Sequence, residues 1–295
     1  MHGEKVDYYS SETRCSALLW RPDGTVGPAP AVVLCHGFRG IKEWALPDFA
    51  ELFVARGYAV LAIDYRGFGE SDGQRGRLVP LEQVDDIRAG LSYLAAQDFV
   101  DAARLALYGT SFGGANVVQA AADDDRVKAV VCQVGFGRIR RTWPGVYERF
   151  EQRLDDDRLQ RAVTGVSATI DPGEILDDPQ SNAAFAVAAE RWPQLRQRFP
   201  LEAVERIFDF NPEDAVSRIS PRAALFLGAA VDTAVPVEET THLYEAAGEP
   251  KRLEVFDITH YEIYESPHRD RAVDLACEFF DEHLNAPTHD AEITA

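Results

Sequence analysis

The stretch LALYGTSFGGANVV (residues 105–118) passes from an apolar run into an alanine- and valine-rich helical pattern with almost no room for a turn. A strand that must turn at once into a helix forces the residue at the apex into a strained backbone conformation. Gly109 and Gly113 lie two positions on either side of Ser111, where a Cβ atom would collide with the adjoining strand or helix. This G-x-S-x-G spacing predicts a serine Oγ lifted off the end of a sheet, beside the backbone N–H groups of a helix N-terminus.

The same junction is part of a longer alternation of strand-like and helical patterns, which is typical of a largely parallel sheet covered by helices on both faces. The predicted strands cover residues 16–22, 28–37, 58–67, 105–109, 127–136, 221–232 and 251–258. The predicted helices cover residues 48–57, 81–97, 111–122, 241–248 and 270–284. We expect residues 286–295 to be frayed.

The alternation stops between residues 138 and 218. Helical patterns interrupted by proline and glycine fill this stretch, which contains no convincing strand. We therefore expect an α/β core formed by residues 1–137 and 219–295, with residues 138–218 (hereafter the insertion) added as a helical cap.

Composition restricts the partners. With 30 Lys and Arg against 49 Asp and Glu, the net charge of −19 argues against nucleic acid or an anionic membrane as a partner. The N-terminal stretch has no basic segment followed by an apolar one, and no 18 apolar residues run together, so we expect a cytoplasmic protein. The four cysteines are too few and too scattered for a disulfide scaffold or a zinc site, and we interpret them as buried thiols.

Two later residues supply what a nucleophilic serine requires, an acid and a base. Asp232 in AVDTAVP and His260 in ITHYE each follow a predicted strand, at the sheet edge where open α/β sheets place their sites. Together with Ser111 they form the predicted catalytic residues. The acid has rivals that the pattern alone leaves open, namely Asp64, Asp257 and Glu262.

The turn CHGFRG (residues 35–40) also follows a buried predicted strand. Its position suits a second donor to an oxyanion, so we predict an oxyanion hole formed by the backbone N–H groups of Phe38 and Phe112. No metal or cofactor is needed for this chemistry.

The motifs CHGFRGIKEW, VLAIDYRGFGESDG, LYGTSFGG, GAAVDTAVP and THYE resemble those of the α/β-hydrolase superfamily, over residues 15–137 and 219–285. The first two resemble the branch that contains dienelactone-hydrolase-like esterases, acetyl xylan esterases and prolyl-peptidase relatives with a helical cap. The resemblance implies the α/β-hydrolase fold, a mostly parallel sheet flanked by helices, and the catalytic triad. It also implies that His36 supports the oxyanion loop and that the segment of Asp64 is structural.

These observations predict a serine hydrolase that cleaves a carboxylic ester or thioester of a small-molecule acyl substrate through an acyl-enzyme. Alternatives are acyl transfer, C–C cleavage or elimination on a natural-product intermediate with the same triad, and a non-catalytic small-molecule receptor. The charge-rich helices of the insertion would also permit a homodimer. The candidates for an apolar acyl pocket under the cap are Trp44, Phe136, Trp143, Tyr147, Phe185 and Trp192.

Overall fold

The computed structural model describes residues 3–24 and 26–284, and the expected frayed tail lies outside them. The strands are β1 (Glu4–Ser10), β2 (Thr13–Trp20), β3 (Ala29–Cys35), β4 (Ala59–Ile63), β5 (Val100–Thr110), β6 (Val127–Gln133), β7 (Thr169–Ile170), β8 (Phe199–Pro200), β9 (Ala223–Ala229) and β10 (Lys251–Phe256). The α-helices are α1 (Leu46–Ala55), α2 (Pro80–Ala95), α3 (Phe112–Asp123), α4 (Ile139–Thr142), α5 (Glu151–Thr164), α6 (Pro179–Arg191), α7 (Glu202–Phe208), α8 (Val237–Ala246) and α9 (His268–Leu284). Short 3₁₀ helices cover Tyr147–Arg149, Pro172–Glu174, Pro193–Arg196, Pro212–Asp214, Val216–Ile219 and Glu262–Tyr264.

Eight of the strands form one sheet in the order β1-β2-β4-β3-β5-β6-β9-β10. The pairs β1–β2 and β2–β4 are antiparallel, and the other neighbours are parallel. The carboxyl ends of β3, β5, β6, β9 and β10 therefore meet at one edge of the sheet. The predicted mostly parallel α/β sheet is confirmed.

Successive residues of each central strand point to opposite faces of the sheet. On β3, Val33 packs with residues of α2 and α3, whereas Val32 and Leu34 pack with residues of α1 and α9. Both faces are thus covered by helices, which is why the central strands appear in the sequence as unbroken apolar runs.

Two features differ from the expectation. The N-terminal strand β1 was not predicted, because this edge strand carries three exposed charged residues, Glu4, Lys5 and Asp7, and little apolar signal. Within the insertion, β7 and β8 form a two-residue antiparallel pair, too short to produce a strand pattern in the sequence. Among the described residues, no helix combines the length and the apolar character that crossing a bilayer requires.

Candidate active site

Ser111 lies at the apex of the turn between β5 and α3. Its backbone has φ 56° and ψ −123°, a conformation that residues other than glycine rarely adopt. The turn is held because Ser111 N donates to the carbonyl oxygen of Gln133 on β6, at 2.8 Å, while α3 begins directly at Phe112. The strain exposes the hydroxyl at the sheet edge, as the spacing predicts.

The flanking glycines are required by close backbone contacts. A Cβ atom on Gly109 would lie 2.1 Å from the carbonyl oxygen of Gly113. A Cβ atom on Gly113 would lie 2.4 Å from the carbonyl oxygens of both Cys35 and His36. These distances exclude a side chain at either position, so the start of α3 packs directly against the chain leaving β3.

His260 connects Ser111 to Asp232. The Nε2 atom of His260 lies 3.2 Å from Ser111 Oγ, and Nδ1 lies 2.6 Å from Asp232 Oδ2. Because a carboxylate only accepts, Nδ1–H donates to Asp232, and Nε2 presents a lone pair to the serine hydroxyl. The other carboxylate oxygen of Asp232 accepts from the backbone N–H groups of Ala234 (2.9 Å) and Val235 (2.7 Å), which fixes its orientation.

Two of the three rival acids are hydrogen-bonded elsewhere, and the third is exposed. Asp64 is fully buried and accepts from the Nζ of Lys42 at 2.6 Å and from its backbone N–H at 2.8 Å. Glu262 accepts from the backbone N–H and the hydroxyl of Thr259, and Asp257 is exposed. In the described part of the chain, none of these three carboxylates is hydrogen-bonded to the imidazole.

The turn after β3 lies against the serine. A Cβ atom on Gly37 would be 3.4 Å from Ser111 Oγ, so the turn contacts the hydroxyl directly. The next residue, Phe38, is buried and packs on the ring of Phe112 at a centroid distance of 6.1 Å. Within the described residues, the backbone N–H groups of Phe38 and Phe112 have no acceptor, which leaves both free to bind an anion.

His36 is buried beneath this turn and supports it by a hydrogen bond. Its Nδ1–H donates to the carbonyl oxygen of Gly37 at 2.9 Å, and its ring packs edge-on against Tyr65. Burial lowers the pKa of His36 to about 4, so the ring is neutral at physiological pH. It therefore supports the turn without adding a charge beside the serine.

A cavity of about 700 Å³ lies between the sheet edge and the insertion. From the sheet side, its wall includes His36, Gly37, Phe38, Trp44, Leu46, Thr110, Ser111, His260, Tyr261 and Tyr264. From the insertion, its wall includes Leu176, Gln180, Ala183, Ala184, Phe185, Val187, Ala188, Arg191 and Trp192. The cavity thus joins Ser111 to an apolar, aromatic surface supplied mainly by α6.

The aromatic residues expected in an acyl pocket divide into two groups. Trp44 lines the cavity and packs edge-on against Phe185, with ring centroids 4.8 Å apart, and Trp192 also lines it. Phe136, Trp143 and Tyr147 do not line it, contrary to the prediction.

Each of these three residues has a structural role instead. Phe136 is 1% exposed in the core. The indole N–H of Trp143 donates to the carbonyl oxygen of Ala234 at 2.8 Å, two residues beyond Asp232. Tyr147 packs on Phe208, outside the cavity.

Sequence reasoning did not identify α6 as a wall of the cavity. It also did not identify Tyr261 and Tyr264, which follow His260 and line the cavity. The signal for this wall was the small and aromatic residues Ala184, Phe185 and Ala188 of α6 and Trp192 directly after it, which recur at helical spacing. For the tyrosines, the signal was the segment HYEIY itself, which places two aromatic hydroxyls within four residues of the predicted base.

Comparison with known proteins gives relatives over most of the chain. A 31.7 kDa protein of uncharacterized function, from the traX-finO intergenic region of Escherichia coli, is 33% identical over 276 residues, which are 91% of this chain and 96% of that one. A polyketide transferase of Penicillium sp. is 28% identical over 77% of this chain and 79% of its own. A thiohydrolase of Aspergillus aculeatus is 27% identical over 77% of each.

Solved structures share the fold. The structure of DcsB in complex with its substrate analogue matches with a TM-score of 0.86 at 22% identity, over 96% of this chain and all of that one. Est1E of Butyrivibrio proteoclasticus with bound ferulic acid matches with a TM-score of 0.68 at 21% identity, over 95% of this chain and all of that one. At these identities the likeness concerns the fold, and it agrees with the predicted α/β-hydrolase architecture.

The family model described as serine aminopeptidase, S33 (Hydrolase_4) matches residues 27–265, which include β3 to β10, the insertion and the whole candidate site. The chain therefore belongs to this family of α/β-hydrolase enzymes.

Proposed function

We propose that the protein is a serine hydrolase that cleaves a carboxylic ester or thioester through Ser111, His260 and Asp232. The observation that carries this proposal is the continuous hydrogen-bonded path from Asp232 through His260 to a strained, cavity-facing serine hydroxyl. Such a path is the arrangement that activates a serine as a nucleophile.

In the first step, Ser111 Oγ bonds to the carbonyl carbon while its proton passes to His260 Nε2. The carbonyl π electrons move to the oxygen, and the N–H groups of Phe38 and Phe112 stabilise the resulting oxyanion. When the tetrahedral intermediate collapses, the alcohol or thiol leaves with the proton held on Nε2. Water then attacks the acyl-serine, giving its proton to the same nitrogen, and the carboxylic acid and the free serine are released.

The names of the relatives favour acyl chemistry, since they include a thiohydrolase and a polyketide transferase. The second name supports acyl transfer as a second candidate. Transfer and hydrolysis share the acyl-enzyme and differ only in whether water or another nucleophile attacks it.

The purified protein should convert a panel of matched esters and thioesters into free acid and alcohol or thiol, measured by product mass. If transfer dominates, adding an alcohol or amine acceptor should produce the acyl-acceptor product at the expense of free acid. Absence of both products from every ester and thioester in the panel would contradict the proposal.

We infer that the insertion acts as a cap that selects the acyl group. Phe185 supports this reading, because its ring lines the cavity and is clamped between the indole of Trp44 and the guanidinium of Arg39, which lies 3.7 Å from the ring centroid. A ring held on two sides makes a rigid boundary for whatever fills the cavity.

Replacing Phe185 by alanine should shift the preference of the enzyme towards longer or bulkier acyl groups. Because one methylene in an apolar pocket changes discrimination by about 10-fold or more, we expect the ratio of kcat/KM for octanoyl over butanoyl esters to rise about 10-fold. A series of p-nitrophenyl esters of increasing chain length measures this ratio.

The matched control is Tyr147→Ala, which removes an aromatic ring of the insertion from outside the cavity wall. It should leave the chain-length ranking unchanged. The cap interpretation fails if Phe185→Ala also leaves the ranking unchanged while the variant remains folded.

A further inference from the structure

A chain of buried hydrogen bonds leads from the interior of the sheet to the cavity. Tyr108 and Gln133 are both essentially unexposed on the neighbouring strands β5 and β6. The hydroxyl of Tyr108 donates to Gln133 Oε1, which fixes the orientation of the amide. The amide nitrogen, Nε2, therefore faces Thr110 and donates to its Oγ1 at 2.9 Å.

The chain ends in a second pair of hydroxyl groups. Thr110 Oγ1 donates to the hydroxyl oxygen of Tyr264 at 2.7 Å, and both residues line the cavity. The hydrogen bond between the two hydroxyls uses the proton of Thr110. Gln133 Nε2 can only donate, so it accepts neither hydroxyl proton. Within residues 3–24 and 26–284, the remaining proton, that of Tyr264, has no acceptor in the protein.

This donor lies close to the reacting groups. Thr110 directly precedes Ser111, and the ring of Tyr264 is 6.2 Å from the imidazole of His260, centroid to centroid. Burial raises the pKa of Tyr264, so the phenol keeps its proton at neutral pH. A protonated donor with no protein acceptor, beside the nucleophile, requires its acceptor from whatever occupies the cavity.

We propose that Tyr264 is a specificity-determining residue that donates a hydrogen bond to an oxygen atom of the substrate close to the scissile carbonyl. The substrate class is then an ester or thioester that carries an ether, hydroxyl or carbonyl oxygen a few atoms from the carbonyl carbon, in either the acyl or the leaving group. This inference rests on the proposed hydrolase function. A substrate with a methylene at that position leaves the donor unpaired, and sites of this kind discriminate against such analogues.

The test compares wild type and Tyr264→Phe on substrate pairs that differ only in this oxygen. The acyl arm uses hexanoyl and 3-hydroxyhexanoyl thioesters of one thiol, and the leaving-group arm uses butyl and 2-methoxyethyl hexanoate. In the arm that contains the true acceptor, Tyr264→Phe should lower kcat/KM about 10-fold for the oxygen-bearing substrate and less than about 2-fold for its partner. Because each compound is compared with itself in wild type and in Tyr264→Phe, its intrinsic reactivity cancels.

Tyr58→Phe is the matched control, because it removes a tyrosine hydroxyl that bonds Asp281 and lies outside the cavity wall. It should leave all four rates unchanged. Equal losses on both members of each pair would make Tyr264 a support for His260 and would overturn the proposal. No loss on any substrate would overturn it as well.

The wild-type enzyme gives an independent measure, which serves if Tyr264→Phe does not fold. After division by the rates of alkaline hydrolysis, its kcat/KM should favour the oxygen-bearing member of one pair by about 10-fold. Ratios near one in both arms would reject the role of Tyr264. Hydrolysis of the plain hexanoyl substrates would still support the hydrolase function, so the two proposals fail separately.

Discussion

Replacing Ser111 by alanine should lower turnover of esters and thioesters by about 10⁴- to 10⁶-fold, because the acyl-enzyme can no longer form. The side chain is joined to the protein mainly by its contact with His260, so its loss should change the thermal midpoint little. Steady-state kinetics on an activated ester and a thermal melt together measure both effects. The strain at φ 56° remains with alanine, which keeps the comparison a test of the hydroxyl.

The matched control is Ser92→Ala, an exposed hydroxyl that donates to the carbonyl oxygen of Arg88 in α2. It should retain full activity. A fluorophosphonate should label wild type and Ser92→Ala at Ser111, and it should not label Ser111→Ala. Normal turnover by a folded Ser111→Ala variant would remove this serine from the mechanism.

Replacing Asp232 by asparagine should lower kcat by about 10⁴-fold, the size of effect expected when the acid of a triad loses its charge. The amide can donate to Nδ1 of His260, which would favour the tautomer that carries its proton on Nε2. That nitrogen then cannot accept the proton of Ser111. The two backbone donors of Ala234 and Val235 can still bond the amide oxygen, so the loop should keep its shape.

Asp257→Asn tests one of the rival acids with the same substitution, since Asp257 also follows a strand of the sheet, β10, and is exposed. It should leave kcat within about 2-fold of wild type, as surface substitutions usually do. If Asp257→Asn were the more damaging of the two variants, the acid would have to be reassigned.

The parts of the site that could be predicted from sequence are those fixed by backbone geometry. The glycines around Ser111 are dictated by contacts of 2.1 Å and 2.4 Å that no side chain tolerates, so their spacing is visible in the sequence. Asp232 and His260 were predictable for a similar reason, since the carboxyl ends of parallel strands converge at one edge. These residues lie where the topology of the main chain places them.

The cavity wall could not be predicted in the same way, because packing between distant segments determines it. Trp143 and Trp192 look equivalent in the sequence, as aromatic residues next to proline in the insertion. Only the folded chain separates them, since the indole N–H of Trp143 reaches Ala234 whereas Trp192 lines the cavity. Aromatic residues in a sequence indicate that a segment is packed against the rest of the protein. They do not indicate which residues it contacts.

The hydrogen bond from Trp143 to Ala234 has a consequence for engineering chimaeras of such enzymes. The insertion contributes this donor to the loop that carries Asp232, so the loop is completed by a residue that a transplant of residues 138–218 would replace. A transplanted segment without an indole or another N–H at that point would leave the carbonyl oxygen of Ala234 unpaired, two residues from Asp232. Grafts designed to change substrate preference should therefore begin after Trp143 and exchange α6 with its neighbouring turns.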